Sequence, residues 1–382
     1  MTLFISIAGN IKTMPNKETR RPCPLATHEW FYVGGRYVER GDGADAESVM
    51  VGQMYVERFA PAEQKHDTPV VMIHGGGQTG TNFVATPDGR PGWLHDFLHA
   101  GYEVYVTDQP ERGRSGRSLS DGATEKSNRS STLRIEQRFT ANAKHALWPQ
   151  ARHQNQWPGE GVQGDAIFDQ FFASQVEQVD DATEIDLLNR NAGAALLDCI
   201  GDAILLTHSQ SGTFGWLIAD ERPSKVKAIL SIEPNGPPFR MMRELGAPDW
   251  FEYEKELSRP WGITRTPMQY DPPVDDAEEL APVLSPQPDD PELIAGYLPS
   301  CEPRRLSNLI GVPILIVTSQ ASYHAVYDHC TSDFLNWAGV DHDFVRLADR
   351  GIVGNGHMVM LEKNSHEIAQ LLLEWLTENA PS

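Results

Sequence analysis

The chain lacks the features that mark several other classes of protein. Its four cysteines, Cys23, Cys199, Cys301 and Cys330, form neither a CxxC motif nor a Cys/His ligand cluster. We interpret them as buried thiols, with one disulfide as the alternative if the protein is exported. No apolar run approaches the length of a transmembrane helix. Lysine and arginine number 32 against 53 acidic residues, which gives a net charge of −21. Because like charges repel, we expect no nucleic-acid partner and no membrane insertion, and nothing suggests a metal site.

The N-terminus carries little sign of an export signal. Residues 1–9 include a short apolar stretch, but no positive residue precedes it, because Lys12 comes after it. We therefore predict a cytoplasmic protein. Residues 1–28 are polar and contain proline, so we predict an N-terminal arm ahead of one catalytic domain over residues 29–382.

The most informative segment is His-Ser-Gln-Ser-Gly at residues 208–212, directly after the apolar run 203–207. A strand, a sharp turn of small residues and a helix form a nucleophile elbow, which lifts one side chain above the sheet and aims the helix N-terminus at it. We predict that Ser209 is the nucleophile. Thr207 and Ser211 stand where the usual pattern has glycines. The plain end of a buried strand is the alternative interpretation.

A glycine-rich loop is the second element. Residues 69–73 indicate a buried strand, and His-Gly-Gly-Gly-Gln-Thr-Gly follows at 74–80. Acyl transfer needs two amide donors for the oxyanion, one from the residue after the nucleophile and one from an HGGG-type loop. We predict Gln210 and Gly76 as these oxyanion-hole donors, with Gly77 as the alternate to Gly76. The other interpretations are a flexible turn or a phosphate-binding loop, although the Lys and Ser/Thr of a P-loop are missing.

The general base is predicted at His357. Chain order in this architecture is nucleophile, acid and then histidine. The glycine-rich segment 354–360 follows a predicted last strand at 342–347 and delivers this histidine at the start of a C-terminal helix. Three competitors, His324, His329 and His366, are interpreted as solvated surface residues.

The acid is predicted at an unusual position. It usually follows the penultimate strand, here 312–318, but the next segment, Ser-Gln-Ala-Ser-Tyr, holds no carboxylate, and Asp328 lies too far along to sit at the strand end. One strand earlier, residues 226–232 run directly into Glu233. Its carboxylate can fix the tautomer of the histidine and stabilise the imidazolium, so we predict Glu233 as the acid. A solvated glutamate at a strand end is the alternative.

These motifs together resemble the serine esterases of the α/β-hydrolase superfamily, and most of all the bacterial esterase 713 group. The likeness spans roughly residues 30–378. It is carried by residues 31–35, 53–56, 86–90, 108–109, 112–115, 208–212, 231–234 and 354–358.

The resemblance implies an α/β-hydrolase fold, with a mostly parallel eight-stranded sheet flanked by helices. In that group a glutamate after the sixth strand is the triad acid, which Glu233 matches, and Ser209 and His357 match the nucleophile and base. The chain departs from the group in the oxyanion loop, where the group has bulkier residues at the positions of Gly76 and Gly77. The donor amides survive this change, whereas the shape of the acyl pocket does not carry over.

Two insertions are predicted to form a cap over the sheet, at about residues 119–182 and 236–308. Their aromatic residues would line an apolar pocket or anchor the cap, and we expect anchoring for most of them. The Arg- and Gly-rich loop at 108–116 is interpreted as a strand-end turn with surface arginines.

We predict a serine hydrolase that cleaves a carboxylic ester through an acyl-enzyme and needs no cofactor. A lactonase of the same fold would use the same residues, and carbon–carbon bond hydrolysis is a more distant option. A non-catalytic binder of small molecules is the hypothesis from another class, and the filled triad positions argue against it. The predicted partner is a small-molecule ester or lactone. The oligomeric state is left open, with a homodimer as one option.

Overall fold

An eight-stranded sheet lies at the centre of the computed structural model, which describes residues 23–41, 46–117 and 127–380. In chain order the strands are β1 (Leu25–Arg40), β2 (Glu47–Pro61), β3 (Val70–Ile73), β4 (Val104–Asp108), β5 (Ala203–His208), β6 (Val226–Ile232), β7 (Ile314–Thr318) and β8 (Asp343–Arg346). Their spatial order is β1-β2-β4-β3-β5-β6-β7-β8. The pairs β1/β2 and β2/β4 are antiparallel, and every pair from β4 to β8 is parallel. The predicted fold class is confirmed.

The parallel strands are buried on both faces, which explains their nearly continuous apolar sequences. In β3, Val71 and Ile73 belong to one core, whereas Val70 and Met72 belong to the other. This alternation follows from the two-residue period of a strand. The sheet therefore separates two hydrophobic cores. The polar residues that follow the carboxyl ends of its parallel strands lie outside these cores and can form a functional site.

The helices cover both faces of the sheet. They are α1 (Thr81–Val84), α2 (Trp93–Ala100), α3 (Thr132–Ile135), α4 (Asn142–His145), α5 (Ala166–Ala173), α6 (Ala182–Ile200), α7 (Ser211–Glu221), α8 (Asp328–Trp337) and α9 (Ser365–Asn379). Helices α6, α7 and α8 pack into one core, and α2 and α9 pack into the other. Among the described residues, no helix has both the length and the apolar character that crossing a membrane requires.

The described residues of the two predicted insertions form several short elements in addition to α3, α4 and α5. The first has a π-helical segment at Glu136–Thr140, a 3-10 helix at Pro149–His153 and a strand pair of Ser127–Asn128 with Gln178–Val179. The second has a 3-10 helix at Ala277–Leu280 and the pairs Met242–Gly246 with Trp250–Tyr253, Tyr270–Asp271 with Arg305–Leu306, and Pro282–Leu284 with Tyr297–Pro299. Further 3-10 helices are Gly113–Ser115, Tyr323–Val326 and Leu347–Arg350. Six aromatics of the described cap residues are buried, as anchoring requires: Trp148, Trp157, Phe168, Phe171, Phe239 and Tyr270.

Two expectations about the chain need correction. Residues 25–28, assigned to the arm, begin β1, because the pairing with β2 extends to Leu25 opposite Pro61. The rest of the predicted arm, up to residue 22, lies outside the described residues. All four cysteines are free thiols, but only Cys330 is buried and Cys199 is exposed.

Candidate active site

Ser209 lies in the tight turn between β5 and α7. Its φ is 57°, in the left-handed region that non-glycine residues adopt only under local constraint. The constraint comes from Ser211, whose Oγ accepts the amide of His208 at 2.8 Å and donates to the Ile73 carbonyl at 2.7 Å. The serine in place of a glycine therefore ties the elbow to the neighbouring strand β3.

The glycine of the motif stands at position 212, one residue later than in the usual pattern, and a close contact at this position explains the shift. A Cβ on Gly212 would lie 2.6 Å from the Cα of Pro234, which leaves no room for a side chain. Pro234 follows Glu233, so the close approach brings the start of α7 against the turn that carries the predicted acid. This approach requires glycine at position 212.

The predicted acid and base are brought together. The His357 Nδ1 and Glu233 Oε2 atoms lie 2.5 Å apart, and both side chains are buried. Because Nδ1–H donates to the carboxylate, Nε2 is left as the basic nitrogen. His357 lies in an irregular loop and not at a helix start, because α9 begins only at Ser365. Glu233 has a φ of 46°, a second left-handed residue at the tip of a strand.

The segment after β7 holds the carboxylate of Glu233. The Ser319 amide donates to Oε1 at 2.8 Å, the Ser319 hydroxyl donates to the same oxygen, and the Ser322 hydroxyl donates to Oε2 at 2.6 Å. These three hydrogen bonds fix the position of the carboxylate beside the imidazole of His357. The sequence analysis noted that this segment lacks an acid, but it did not predict that the segment binds the carboxylate of Glu233. The signal available was its position, at the strand end next to Glu233.

A tyrosine that sequence reasoning missed lies close to both the predicted nucleophile and the predicted base. The Tyr323 hydroxyl is 3.3 Å from His357 Nε2, and it also interacts with the side chain of Ser209. In the described part of the chain, no direct hydrogen bond joins Ser209 to His357. Such contacts are often long in unliganded enzymes and tighten when the substrate binds.

A second buried histidine–carboxylate pair packs behind the base. The His324 ring is stacked on the His357 ring, with centroids 4.8 Å apart, and its Nδ1 lies 2.8 Å from Asp328 Oδ1. The interpretation of His324 as a surface residue is therefore wrong, since only 1% of it is exposed. Asp328 does reach the end of β7, because the chain folds back and Thr318 donates to its carboxylate at 2.6 Å.

The surroundings favour a neutral imidazole at His357. Burial lowers its pKa well below the usual value, and the nearby His324 and Arg138 lower it further. Within the described residues, Glu233, His324 and His357 form a group that could hold a metal ion. Since both Nδ1 atoms already bond to carboxylates, this proximity is explained without an ion.

The glycine loop lies beside Ser209, and its Gly76 and Gly77 amides differ in whether they already donate a hydrogen bond. Gly76, Gly77 and Ser209 are all partly exposed. The Gly77 amide donates to Gln178 Oε1 at 2.9 Å, so it is already engaged. In the described residues the amides of Gly76 and Gln210 donate no hydrogen bond. This difference favours Gly76 over Gly77 as a donor to a substrate oxygen.

Arg112 lies directly behind the glycine loop. It is 3% exposed, and it donates to the Gly75 carbonyl at 3.1 Å, to Gln210 Oε1 at 3.2 Å and to Gln178 Oε1 at 3.0 Å. His74 Nδ1 donates to the same Gly75 carbonyl at 2.8 Å, because its Nε2 accepts a backbone amide. Burial lowers the pKa of Arg112 to about 9, so it is a cation at neutral pH. The interpretation of this arginine as a surface residue is wrong.

Comparison with known proteins adds a family and two relatives. Residues 70–371 match the family described as Alpha/beta hydrolase family. A probable secreted lipase, phiG, of a fungal species (strain ATCC 74256) is 42% identical over 374 residues, which are 96% of this chain and 94% of the relative. The solved structure of a bacterial esterase superposes with a TM-score of 0.63 at 22% identity, covering 94% of this chain and 98% of the other. That likeness concerns the fold.

The fungal relative overturns one prediction. We predicted a cytoplasmic protein, but a relative aligned over nearly the whole chain is named as secreted. The prediction rested on the absence of positive residues ahead of a short apolar stretch, and the order of charges in so few residues is a weak signal. The cytoplasmic prediction is therefore wrong.

Proposed function

The chain belongs to the alpha/beta hydrolase family and is a hydrolase of the esterase and lipase type, and we propose that it cleaves carboxylic esters through an acyl-enzyme on Ser209. The observation that carries this proposal is the buried 2.5 Å contact between His357 and Glu233 beside a serine in a strained turn. Strained backbone that is held by its surroundings is typical of catalytic nucleophiles.

In the first step Ser209 attacks the ester carbonyl carbon and His357 Nε2 takes the proton from its hydroxyl. The imidazolium that forms is stabilised by Glu233, which is held by its own three donors. His357 then gives the proton to the leaving alcohol as the carbon–oxygen bond breaks. Water attacks the acyl-enzyme in the second step with His357 again acting as base.

The amides of Gly76 and Gln210 hold the oxyanion in this proposal. Both are unengaged in the described residues, and both belong to segments next to Ser209. Arg112 adds a positive charge behind the loop, because it donates to the carbonyl of the same peptide group that carries the Gly76 N–H. Donation to that carbonyl polarises the peptide and strengthens its N–H as a donor. Every group in the mechanism is supplied by the chain, so no cofactor takes part.

The proposed substrate is a small-molecule ester. The name of the fungal relative, a probable secreted lipase, supports esters of the lipase type within this class. A panel of p-nitrophenyl esters with graded acyl length, assayed beside lactones of graded ring size, measures this preference directly. Faster hydrolysis of the open-chain esters is the expected result, and a preference for lactones would overturn the substrate assignment.

Labelling with a fluorophosphonate tests the nucleophile. Intact mass spectrometry should find one adduct on the wild-type chain and on Ser300→Ala, which removes an exposed serine hydroxyl from the cap. Ser209→Ala should give neither an adduct nor ester hydrolysis. An adduct that persists in Ser209→Ala contradicts the assignment. If the folded wild-type chain gives no adduct and hydrolyses no ester, the proposal fails and the result supports the alternative of a non-catalytic binder.

A further inference from the structure

Tyr323 has a role in the site that the triad does not explain. It begins the 3-10 helix Tyr323–Val326 just after β7, and it is 7% exposed. Its hydroxyl lies 3.3 Å from His357 Nε2 and interacts with the Ser209 side chain. It therefore contacts His357 Nε2 and interacts with the Ser209 side chain, the two groups between which a proton moves in the proposed reaction.

The ring of Tyr323 is held on several sides, so the position of its hydroxyl is set by packing. The Arg138 guanidinium lies over the ring, 4.1 Å from the centroid, and is itself paired with Glu244. Trp148 meets the ring edge-on at 5.9 Å, and its indole donates to a backbone carbonyl at 3.1 Å. A cation over the face and an aromatic edge both stabilise such an arrangement.

The Tyr323 hydroxyl keeps its proton at neutral pH. Burial raises its pKa to about 12, although Arg138 acts in the opposite direction. The group is therefore a hydrogen-bond donor whenever an oxygen with a growing negative charge comes close. A phenol held in one place loses little conformational freedom when it makes that bond.

The chemistry requires such an oxygen near this hydroxyl. In acylation His357 Nε2 must give its proton to the leaving oxygen, so that oxygen comes within hydrogen-bond distance of Nε2. The same oxygen is bonded to the carbon that Ser209 Oγ has attacked. A group that contacts both Nε2 and the Ser209 side chain therefore borders the position of the leaving oxygen.

We propose, on the basis of the ester hydrolysis argued above, that Tyr323 is a catalytic residue that donates a hydrogen bond to the leaving oxygen. As the carbon–oxygen bond breaks, its electron pair goes to the leaving oxygen. That oxygen takes the proton from His357 Nε2, while Tyr323 keeps its own proton. The hydrogen bond that Tyr323 donates is strongest when the leaving oxygen gathers the most negative charge, as it does in an ester with a poor leaving group. It matters little for an acidic phenol.

Two esters of the same acid, one of p-nitrophenol and one of ethanol, test the proposal in Tyr323→Phe. We expect kcat/KM for the ethyl ester to fall about ten- to a hundredfold, the usual effect of losing one hydrogen bond to a charged group. The value for the p-nitrophenyl ester should stay within about threefold. Tyr327→Phe is the matched control, since it removes a hydroxyl from a buried neighbour whose ring centroid lies 6.2 Å away. It should change both esters equally.

The outcomes separate this inference from the proposed function. If the wild-type chain hydrolyses neither ester, the proposed function fails. If the wild-type chain is active and Tyr323→Phe slows both esters by the same factor, Tyr323 only supports the packing of the site and the inference is wrong. Fluorophosphonate labelling of Tyr323→Phe checks that Ser209 remains reactive, because fluoride leaves without help from a proton donor.

Discussion

Removing the buried charge of Arg112, which lies behind the glycine loop, should slow the chemical step of ester hydrolysis without changing the affinity for the substrate in its ground state. In Arg112→Met the side chain keeps much of its volume but loses the cation and its hydrogen bonds to Gly75, Gln178 and Gln210. The guanidinium is one 3.1 Å hydrogen bond away from the Gly75 carbonyl. The peptide group and the hydrogen bond from its N–H place the oxyanion about 8 Å from the charge.

Coulomb's law gives the size of the effect. A unit charge about 8 Å from an oxyanion, in surroundings with an effective dielectric constant of about 20, stabilises it by about 2 kcal/mol. That corresponds to a decrease of about 30-fold in kcat/KM. It is smaller than the roughly 10²–10³ lost when an oxyanion donor is removed outright, since the Gly76 amide remains.

A transition-state analogue supplies the assay. A trifluoromethyl ketone forms a tetrahedral oxyanion on Ser209, so its affinity should fall in Arg112→Met by about the same factor as kcat/KM. The affinity for an unreactive amide of the same shape should not change, because that ligand develops no charge. Arg112→Lys keeps the charge without the planar fork and should retain more activity than Arg112→Met.

The reasoning is refuted if folded Arg112→Met keeps kcat/KM within about threefold of the wild-type value. It is refuted equally if the amide and the ketone lose affinity by the same factor. In that second case Arg112 would only shape the pocket. Thermal unfolding of each variant, measured by circular dichroism, identifies any loss that comes from a disturbed fold.

Two further predictions concern the base and its partners. Glu233→Gln should lower kcat by up to about 10⁴, because the imidazole loses the group that fixes its tautomer. Asp328→Asn should keep most activity, because that carboxylate bonds to His324. The opposite result in steady-state assays would assign the acid to Asp328. Arg138→Met should shift the acidic limb of the kcat/KM profile to higher pH. Burial, His324 and then the Arg138 cation lower the pKa of His357, so removing the cation raises it, and the neutral base is then lost at a higher pH. An acidic limb that moves to lower pH would contradict this.

The sequence predicted those parts of the site that depend on local pattern. A β-branched or aliphatic run followed by a small-residue turn identifies a strand end, and parallel strand ends meet at one edge of the sheet. Ser209 and Glu233 could therefore be proposed as site residues from their immediate neighbours, and β6 has the bounds that the sequence predicts.

The buried polar residues around the site could not be predicted in this way. Arg112, His324 and Asp328 are of residue types that normally lie at the surface, so the general expectation was to place them there. His324 and Asp328 bond to each other only four residues apart, but His324 is buried against His357, which lies far along the chain. Arg112 reaches Gln178 in the cap, 66 residues away. Such pairs depend on how the cap folds over the sheet, and no local pattern records that.

The position of the acid explains the composition of the segment after β7. Where an acid follows the penultimate strand, its carboxylate occupies the space beside the imidazole Nδ1. Here Glu233 reaches that nitrogen from the neighbouring strand β6, so the segment after β7 is free to supply other groups. Ser319 and Ser322 hold the carboxylate, and Tyr323 comes next in the chain and approaches the opposite nitrogen, Nε2. In the mechanism we propose, placing the acid one strand earlier therefore leaves room for a hydroxyl donor at the place where the leaving group departs.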